Sequence, residues 1–158
     1  MTPRPPGGKY FDDFTVGEEY RPPGRTVTEA DVVDFAALSD DSNPIHTDAA
    51  FAAGTPFGER IAHGLLGLAM SGGMLSRAGV IEGTALFLGV EWRFKAPIRI
   101  GDTIYSVIRV DSTRLLEDGE RGIVEFGFEI TTADGEVVQE GRHTFMVFKS
   151  AAAMAPAE

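Results

Sequence analysis

Two residue types that can move protons lie five positions apart in a short turn of this chain, SDDSNPIH. Asp41 supplies a carboxylate and His46 an imidazole. A carboxylate and an imidazole that hold one water molecule can serve as general base and general acid, which typically contributes ~10²–10⁴-fold to a rate. Pro44 fixes its own φ and keeps Asn43 out of the helical region, so a stiff turn holds the two groups. The turn is therefore a candidate site for acid–base chemistry on water.

The same residues also have a purely structural interpretation. Asp, Asn and Pro are ordinary turn formers, so the motif alone fits a helix end followed by an Asx turn equally well. Asn43 either braces the turn or contacts the water. His63, in the later stretch IAHG, either contacts a substrate or orients the neighbouring loop. Asp41, His46 and His63 could also bind a metal ion, but their spacing matches no familiar ligand set, and we expect no metal.

Composition limits the kinds of protein that could present this turn. The chain has 158 residues, 43% of them hydrophobic, which suits one globular domain with a core. We expect that domain over 10–150, between a disordered arm over 1–9 and a flexible tail over 151–158. A net charge of −10 argues against nucleic-acid binding, which needs a basic surface. No segment has the ~20 apolar residues of a membrane span. The lack of Cys excludes disulfides and fits a cytoplasmic protein.

The first half of the chain carries the signals of helices. In VTEADVVDFAALS, Thr28 and Asp31 have the spacing of a capping box. Four apolar residues are expected to form the buried face of that helix: Val32, Phe35, Ala36 and Leu38. A short helix should follow the turn and end at Gly54. The stretch from about Gly64 to Ser76 is apolar on every side, which predicts a buried central helix.

The second half has the period-two pattern of strands. In the first of them, charged residues alternate with four apolar ones: Leu88, Val90, Trp92 and Phe94. Three further strands are predicted in TIYSVIRVDSTRLL, GIVEFGFEITT and EVVQEGRHTFMVF, with turns at Asp118-Gly119 and Asp134-Gly135. A short strand around 18–20 would give five or six antiparallel strands. We therefore predict an α+β fold in which the sheet curves around the central helix. His143, on the last strand, is expected at the surface.

Joined to the AHG that opens the central helix, the turn motif resembles the signature of MaoC-like hydratases, best known from (R)-specific enoyl-CoA hydratases. The resemblance extends from TVGEEY through TVTEADVVDFAALS to Gly101-Asp102. It implies a hot-dog fold, a homodimer or higher even oligomer, and no cofactor. The implied reaction adds water across the 2,3-double bond of an acyl-CoA thioester, or reverses that addition. In the family the motif Asp and the His five residues later form the catalytic pair, which implies Asp41 and His46 here.

The implied reaction gives the surrounding residues expected roles. Negative charge develops on the thioester oxygen, and the Gly64 N–H, at the start of a buried helix, is suited to stabilise it. Asn43 and His63 are expected to contact the substrate or its water. Five basic residues are candidates for contacts with the CoA phosphates: Arg60, Arg77, Arg93, Lys95 and Arg99.

Two departures from the family pattern and two rival functions stay open. Many members have Gly before the motif Asp, where this chain has Asp40, and some have a Ser at the position of Gly72, beside Ser71.

A hot-dog thioesterase would attack the carbonyl with a lone acid on or beside the central helix, and the paired His46 argues against it. A non-catalytic acyl-CoA-binding or scaffold subunit would have no use for both Asp41 and His46.

Overall fold

The fold is built on a six-stranded sheet, seen in a computed structural model that describes residues 8–81 and 85–154. The strands are β1 (Glu19–Tyr20), β2 (Arg25–Thr26), β3 (Ala85–Phe94), β4 (Thr103–Leu115), β5 (Arg121–Thr131) and β6 (Val137–Phe148). The helices are α1 (Glu29–Ser39), α2 (Pro44–Thr47), α3 (Ala49–Ala53) and α4 (Gly64–Arg77). Positions 1–7 of the expected arm and 155–158 of the expected tail lie outside the described residues.

The sheet is antiparallel in the order β1-β4-β5-β6-β3, with β2 also paired to β4. Strands β4, β5 and β6 follow one another through turns at Gly119 and Gly135, whose φ angles of 67° and 87° suit Gly. Both predicted turns and the α+β class are thereby confirmed. None of the helices among residues 8–81 and 85–154 is both long and apolar enough to cross a membrane.

Helix α1 begins where the sequence predicts. The Asp31 N–H donates to Thr28 Oγ1 at 3.1 Å, and the Thr28 N–H donates to Asp31 Oδ2 at 2.7 Å, so the capping box is confirmed. Val32 and Ala36 are buried, but Leu38 is 85% exposed, so its assignment to the buried face was wrong. At 3.6 residues per turn Leu38 lies about 240° around the helix from Val32, away from the core.

Helix α4 begins at Gly64 as predicted and ends at Arg77, but it is not buried on every side. Its inward face packs against the sheet and comprises Leu66, Gly67, Ser71, Met74 and Leu75. On the opposite side Leu65 is 57% exposed. The sheet curves over one side of the helix, so a uniformly apolar sequence leaves an apolar face at Leu65 that residues 8–81 and 85–154 do not cover.

Strand β3 lies at one end of the sheet order, and its apolar side chains are largely uncovered. Leu88, Val90 and Phe94 are exposed, whereas Trp92 is half-buried. The register with β6 shifts between Phe87 and Gly89, which marks a bulge or irregularity. The alternation of apolar and charged residues is thus present in the sequence, but the other described residues of the chain cover little of the apolar face of β3.

His143 is buried, so the expectation of a surface position was wrong. It is 2% exposed, and its ring centroid lies 4.2 Å from that of Phe128 and 5.1 Å from that of Trp92. Strand β6 is paired on both sides, and alternation places His143 on the same face as buried Phe145. Burial lowers the pKa of His143 from its ordinary value of 6.5 to about 4.

The buried imidazole predicts a loss of stability in mild acid. The unfolded chain binds a proton at this site below pH 6.5, whereas the folded chain stays neutral down to about pH 4. The contribution is therefore complete above pH 6.5 and declines as the pH falls toward 4. In urea unfolding across that range, His143→Phe should lose less stability than the wild type. Equal losses in the two proteins would contradict the prediction, since both share the same carboxylates.

Candidate functional site

The candidate site begins at the C-terminal end of α1, where the chain turns sharply. Asp40 caps the helix at φ 60° and ψ 16°, and it is the one non-glycine residue with positive φ in the described part of the chain. Left-handed backbone is easiest for Gly and is also visited by Asn and Asp. Asp40 is therefore compatible with the Gly of the family pattern, and the turn that delivers Asp41 is kept.

Hydrogen bonds within the turn hold Asp41 close to helix α2. Asn43 is the N-cap of α2, with Oδ1 accepting from the Ile45 N–H at 3.2 Å, and Pro44 is the first residue of the helix. Asp41 Oδ1 accepts from the Asn43 N–H at 3.3 Å. The stiff turn predicted from Asn43-Pro44 is thus present, and the Asn43 side chain is engaged in the turn itself.

The position of His46 defines which of its nitrogens can accept a proton. The Nδ1 atom lies 2.7 Å from the carbonyl oxygen of Ile61. Because a carbonyl only accepts, Nδ1 carries the proton, and Nε2 of the neutral ring is left as the basic nitrogen. His46 is half-buried and lines a cavity, so its ring lies next to space that a small molecule could occupy.

His63 connects the turn to the start of α4. It is buried, its Nε2 donates to the backbone carbonyl of Asp41 at 2.9 Å, and its ring stacks on that of His46 with centroids 3.9 Å apart. Its Nδ1 has no hydrogen-bond partner in the described structure. Asp41, His46 and His63 each contribute one possible ligand atom, and these three atoms lie within 4.8 Å of one another. The sequence spacing of the three residues matches no familiar metal site. The three side chains form one compact polar centre.

A cavity of about 490 Å³ lies beside this centre. His46 and Gly64 form part of its wall together with mostly apolar residues, including Phe57, Leu65 and Phe94. The first N–H groups of a helix have no acceptor within it, and the side chain of His63 does not cap them. The Gly64 N–H is therefore available where the helix meets the cavity. A Cβ at Gly64 would lie 2.9 Å from the Phe94 ring, so the ring packs directly against the backbone.

Two residues next to Gly64 were missed by the sequence reasoning. Gln139, on β6, is 2% exposed, and its Nε2 donates to the carbonyl oxygen of Gly64 at 3.0 Å. Trp92, on β3, donates from Nε1 to Gln139 Oε1 at 3.0 Å. The available signal was weak: Gln139 lies on the strand face that also carries His143 and Phe145.

Of the five basic residues proposed for CoA contacts, Lys95 alone lines this cavity. It forms an ion pair with Glu140 at 2.9 Å. Arg60 pairs with Glu29 at 2.5 Å and Arg99 with Glu59 at 2.6 Å, while Arg77 donates to the Pro23 carbonyl. Arg93 lines a separate, charged depression of about 560 Å³ that includes none of the turn residues.

Comparison with known proteins places this geometry in a family context. Residues 13–127 match the model of the MaoC like domain. An (R)-specific enoyl-CoA hydratase of Rhodospirillum rubrum is 38% identical over 138 residues, which cover 87% of this chain and 91% of that protein. The solved structure of an (R)-hydratase from A. caviae has a TM-score of 0.74 and 33% identity, covering 84% of this chain and 96% of that chain.

A more distant structure identifies the fold. A Mycobacterium tuberculosis protein described as having a double hotdog fold matches with a TM-score of 0.76 and 20% identity, over 96% of this chain and 47% of that chain. Together with the antiparallel sheet curved over α4, this similarity confirms the predicted hot-dog fold. The chain spans about half of that double protein.

Proposed function

The chain belongs to the MaoC-like domain family, and on that premise we propose that it hydrates 2-enoyl-CoA thioesters to (R)-3-hydroxyacyl-CoA, or catalyses the reverse dehydration. The observation that carries the proposal is the compact centre of Asp41, His46 and His63 beside a cavity with an available helix N-terminus at Gly64. Acid–base groups and a carbonyl-polarising donor are what hydration of an enoyl thioester requires.

One water molecule held between Asp41 and His46 is the proposed nucleophile. A carboxylate oxygen of Asp41 and one of the two ring nitrogens of His46 lie within 4.8 Å of each other. A water that makes two hydrogen bonds of about 2.8 Å can bridge atoms up to about 5.6 Å apart, so the gap suits one water. His46 Nε2, unprotonated in the tautomer fixed by Ile61, accepts one hydrogen of that water, and the Asp41 carboxylate accepts the other.

The proposed reaction proceeds with balanced proton transfer. His46 Nε2 takes a proton from the water as its oxygen bonds to C3 of the enoyl group. The electrons of the 2,3-double bond move toward the thioester carbonyl, whose oxygen becomes negative and accepts a hydrogen bond from the Gly64 N–H. Collapse of that enolate takes the proton from the His46 ring to C2. The ring and carboxylate end as they began, and one water has been added.

Incubation with crotonyl-CoA tests this function against its two rivals. Hydration removes the enoyl absorbance without releasing thiol, a thioesterase releases free CoA thiol, and a non-catalytic acyl-CoA binder does neither. We expect loss of enoyl absorbance alone. Thiol release at a comparable rate, or no reaction in either assay, would reject the proposal.

We also propose that the protein is a two-fold homodimer or a higher even oligomer. Unpaired edge strands with apolar side chains associate readily unless they are covered. Strand β3 is at an end of the sheet order and exposes Leu86 and Leu88, and α4 exposes Leu65. A symmetric partner would cover the edge and complete the cavity wall at Leu65.

Sedimentation at micromolar concentration should therefore give at least twice the mass of one chain. Leu88→Glu should shift the protein toward monomer, because a two-fold edge contact would bring two new carboxylates into one apolar interface. Val33→Glu makes the same change at an exposed apolar position on α1 and should leave the assembly intact. A fully active wild-type monomer would contradict the proposal.

A further inference from the structure

We propose that Gln139 and Trp92 are positioning residues that hold the first turn of α4, so that the Gly64 N–H stays directed at the thioester oxygen. The inference rests on the proposed hydration and adds two residues to it. Neither side chain is assigned to the reacting atoms. Their role would be exerted through the backbone at Gly64, which Gln139 contacts directly and Trp92 contacts through Gln139.

The hydrogen bonds fix the orientation of the Gln139 amide. Trp92 Nε1 only donates, so the Gln139 atom it contacts at 3.0 Å must be the oxygen. The Gly64 carbonyl only accepts, so the atom that contacts it at 3.0 Å must be the Gln139 nitrogen. A rotated amide would lose both bonds. The two hydrogen bonds, from Trp92 to Gln139 and from Gln139 to the Gly64 carbonyl, can therefore form together in only one orientation of the amide.

This contact is made with the first residue of α4. Gly64 has no side chain, and a glycine backbone has more conformational freedom than that of any other residue. The N-cap His63 makes no side-chain hydrogen bond to the helix start. By holding the Gly64 carbonyl, Gln139 fixes the peptide between Gly64 and Leu65, and with it the helical turn whose first N–H groups point away from the helix.

The helix is shaped to admit the amide. A Cβ at Gly67 would lie 2.5 Å from Gln139 Nε2 and 2.8 Å from its Oε1. Gln139 therefore fits because position 67 has no side chain. A buried amide adds little stability beyond that of a well-packed apolar residue, because desolvation offsets its hydrogen bonds. Gly64, Gly67 and Trp92 surround this one buried amide. A need to place Gly64 precisely explains that arrangement better than a gain in stability does.

Three variants test the inference through hydration of crotonyl-CoA. Gln139→Leu has similar bulk and removes both hydrogen bonds, and we expect kcat to fall roughly 10–100-fold, as when a catalytic donor is displaced by up to about 1 Å. KM should change less than kcat, because the hydrogen bond to the thioester oxygen is stronger in the transition state than in the bound substrate. Trp92→Phe keeps a ring and should cause a smaller fall in kcat. Gly67→Ala favours the helix but displaces the amide, so kcat should also fall.

A second readout separates positioning from a general loosening of the helix. A bound hexadienoyl-CoA, whose conjugated thioester absorbs at longer wavelength when its carbonyl oxygen accepts a strong hydrogen bond, should show a smaller red shift in Gln139→Leu than in the wild type. Ser71→Ala is the matched control, since Ser71 is buried on the same helix and donates to the Leu68 carbonyl at 2.6 Å. It should keep both the kcat and the red shift.

The outcomes distinguish this inference from the function it rests on. If Gln139→Leu keeps the red shift and the kcat of a wild type that hydrates crotonyl-CoA, the inference fails and the proposed function stands. An equal loss in Ser71→Ala also overturns the inference, because any disturbance of α4 would then have the same effect. A wild type without hydratase activity overturns both. If Gln139→Leu does not fold, Trp92→Phe and Gly67→Ala decide the matter by the same two readouts.

Discussion

Asp41→Asn and His46→Gln are each expected to lower kcat for crotonyl-CoA hydration by roughly 10² or more, the usual scale for the loss of a general acid or base. The Asn side chain keeps the shape of Asp and its hydrogen bond to the Asn43 N–H but has no charge to attract a water hydrogen. Gln cannot take up and return a proton as an imidazole does. Because both residues act on one water, the double variant should be little worse than the worse single variant.

The chain offers a closely matched control for this experiment. Asp40→Asn removes the same charge one residue earlier, at an exposed position whose left-handed backbone Asn also accepts. It should keep wild-type kcat. KM should change little in all these variants, and melting temperatures should shift modestly or rise, since active-site polar groups often reduce stability. A folded Asp41→Asn or His46→Gln protein with more than about a tenth of wild-type kcat would place the chemistry elsewhere.

The second large effect is stereochemical: a coupled assay with an (S)-specific 3-hydroxyacyl-CoA dehydrogenase should yield no NADH. Asp41 and His46 belong to one turn, and their ligand atoms are within 4.8 Å, so the water would reach C3 from one side of the bound enoyl group. The similar R. rubrum protein is named an (R)-specific enoyl-CoA hydratase. We expect the (R) product alone, because the proposed site has a single acid–base pair, which lies on one side of the bound enoyl group.

The coupled assay has a direct control. Adding a hydratase that forms the (S) product to the same mixture should start NADH formation, which shows that the dehydrogenase and its substrate supply are working. An (R)-specific dehydrogenase should respond to the protein alone. Rapid NADH formation with the (S)-specific enzyme and no added hydratase would mean that the water attacks from the other face.

The features predicted correctly from the sequence depend on residues that are close together in the chain. The Thr28 and Asp31 capping box, the helix that ends before Gly54, and the turns at Gly119 and Gly135 are each set by a few neighbouring residues. The burial of a side chain depends instead on which face the sheet covers. That is why Leu38 and His143 were placed on the wrong side, and why α4 was expected to be buried all round.

The candidate site divides in the same way. Asp41, Asn43 and His46 lie in one turn, so their types and spacing could be recognised together. Gln139 approaches Gly64 only because β6 passes over the start of α4, and no local pattern records that contact. The side-chain stacking of His46 on His63 likewise follows from tertiary structure. Sequence reasoning therefore predicted the turn, the helix start and His63 as a residue that could orient the loop, but it did not predict the contact of Gln139 with Gly64.

The left-handed backbone at Asp40 has a consequence for how this turn can change over generations. The codons of Asp can become those of Asn or Gly by a single base substitution, and these are the residue types that such a backbone accepts most readily. The same base substitution one codon later converts Asp41 to Asn. A change of Asp40 to Asn or Gly should therefore have little effect on activity. The same base substitution in the codon of Asp41 should be removed by selection whenever the cell needs the hydration.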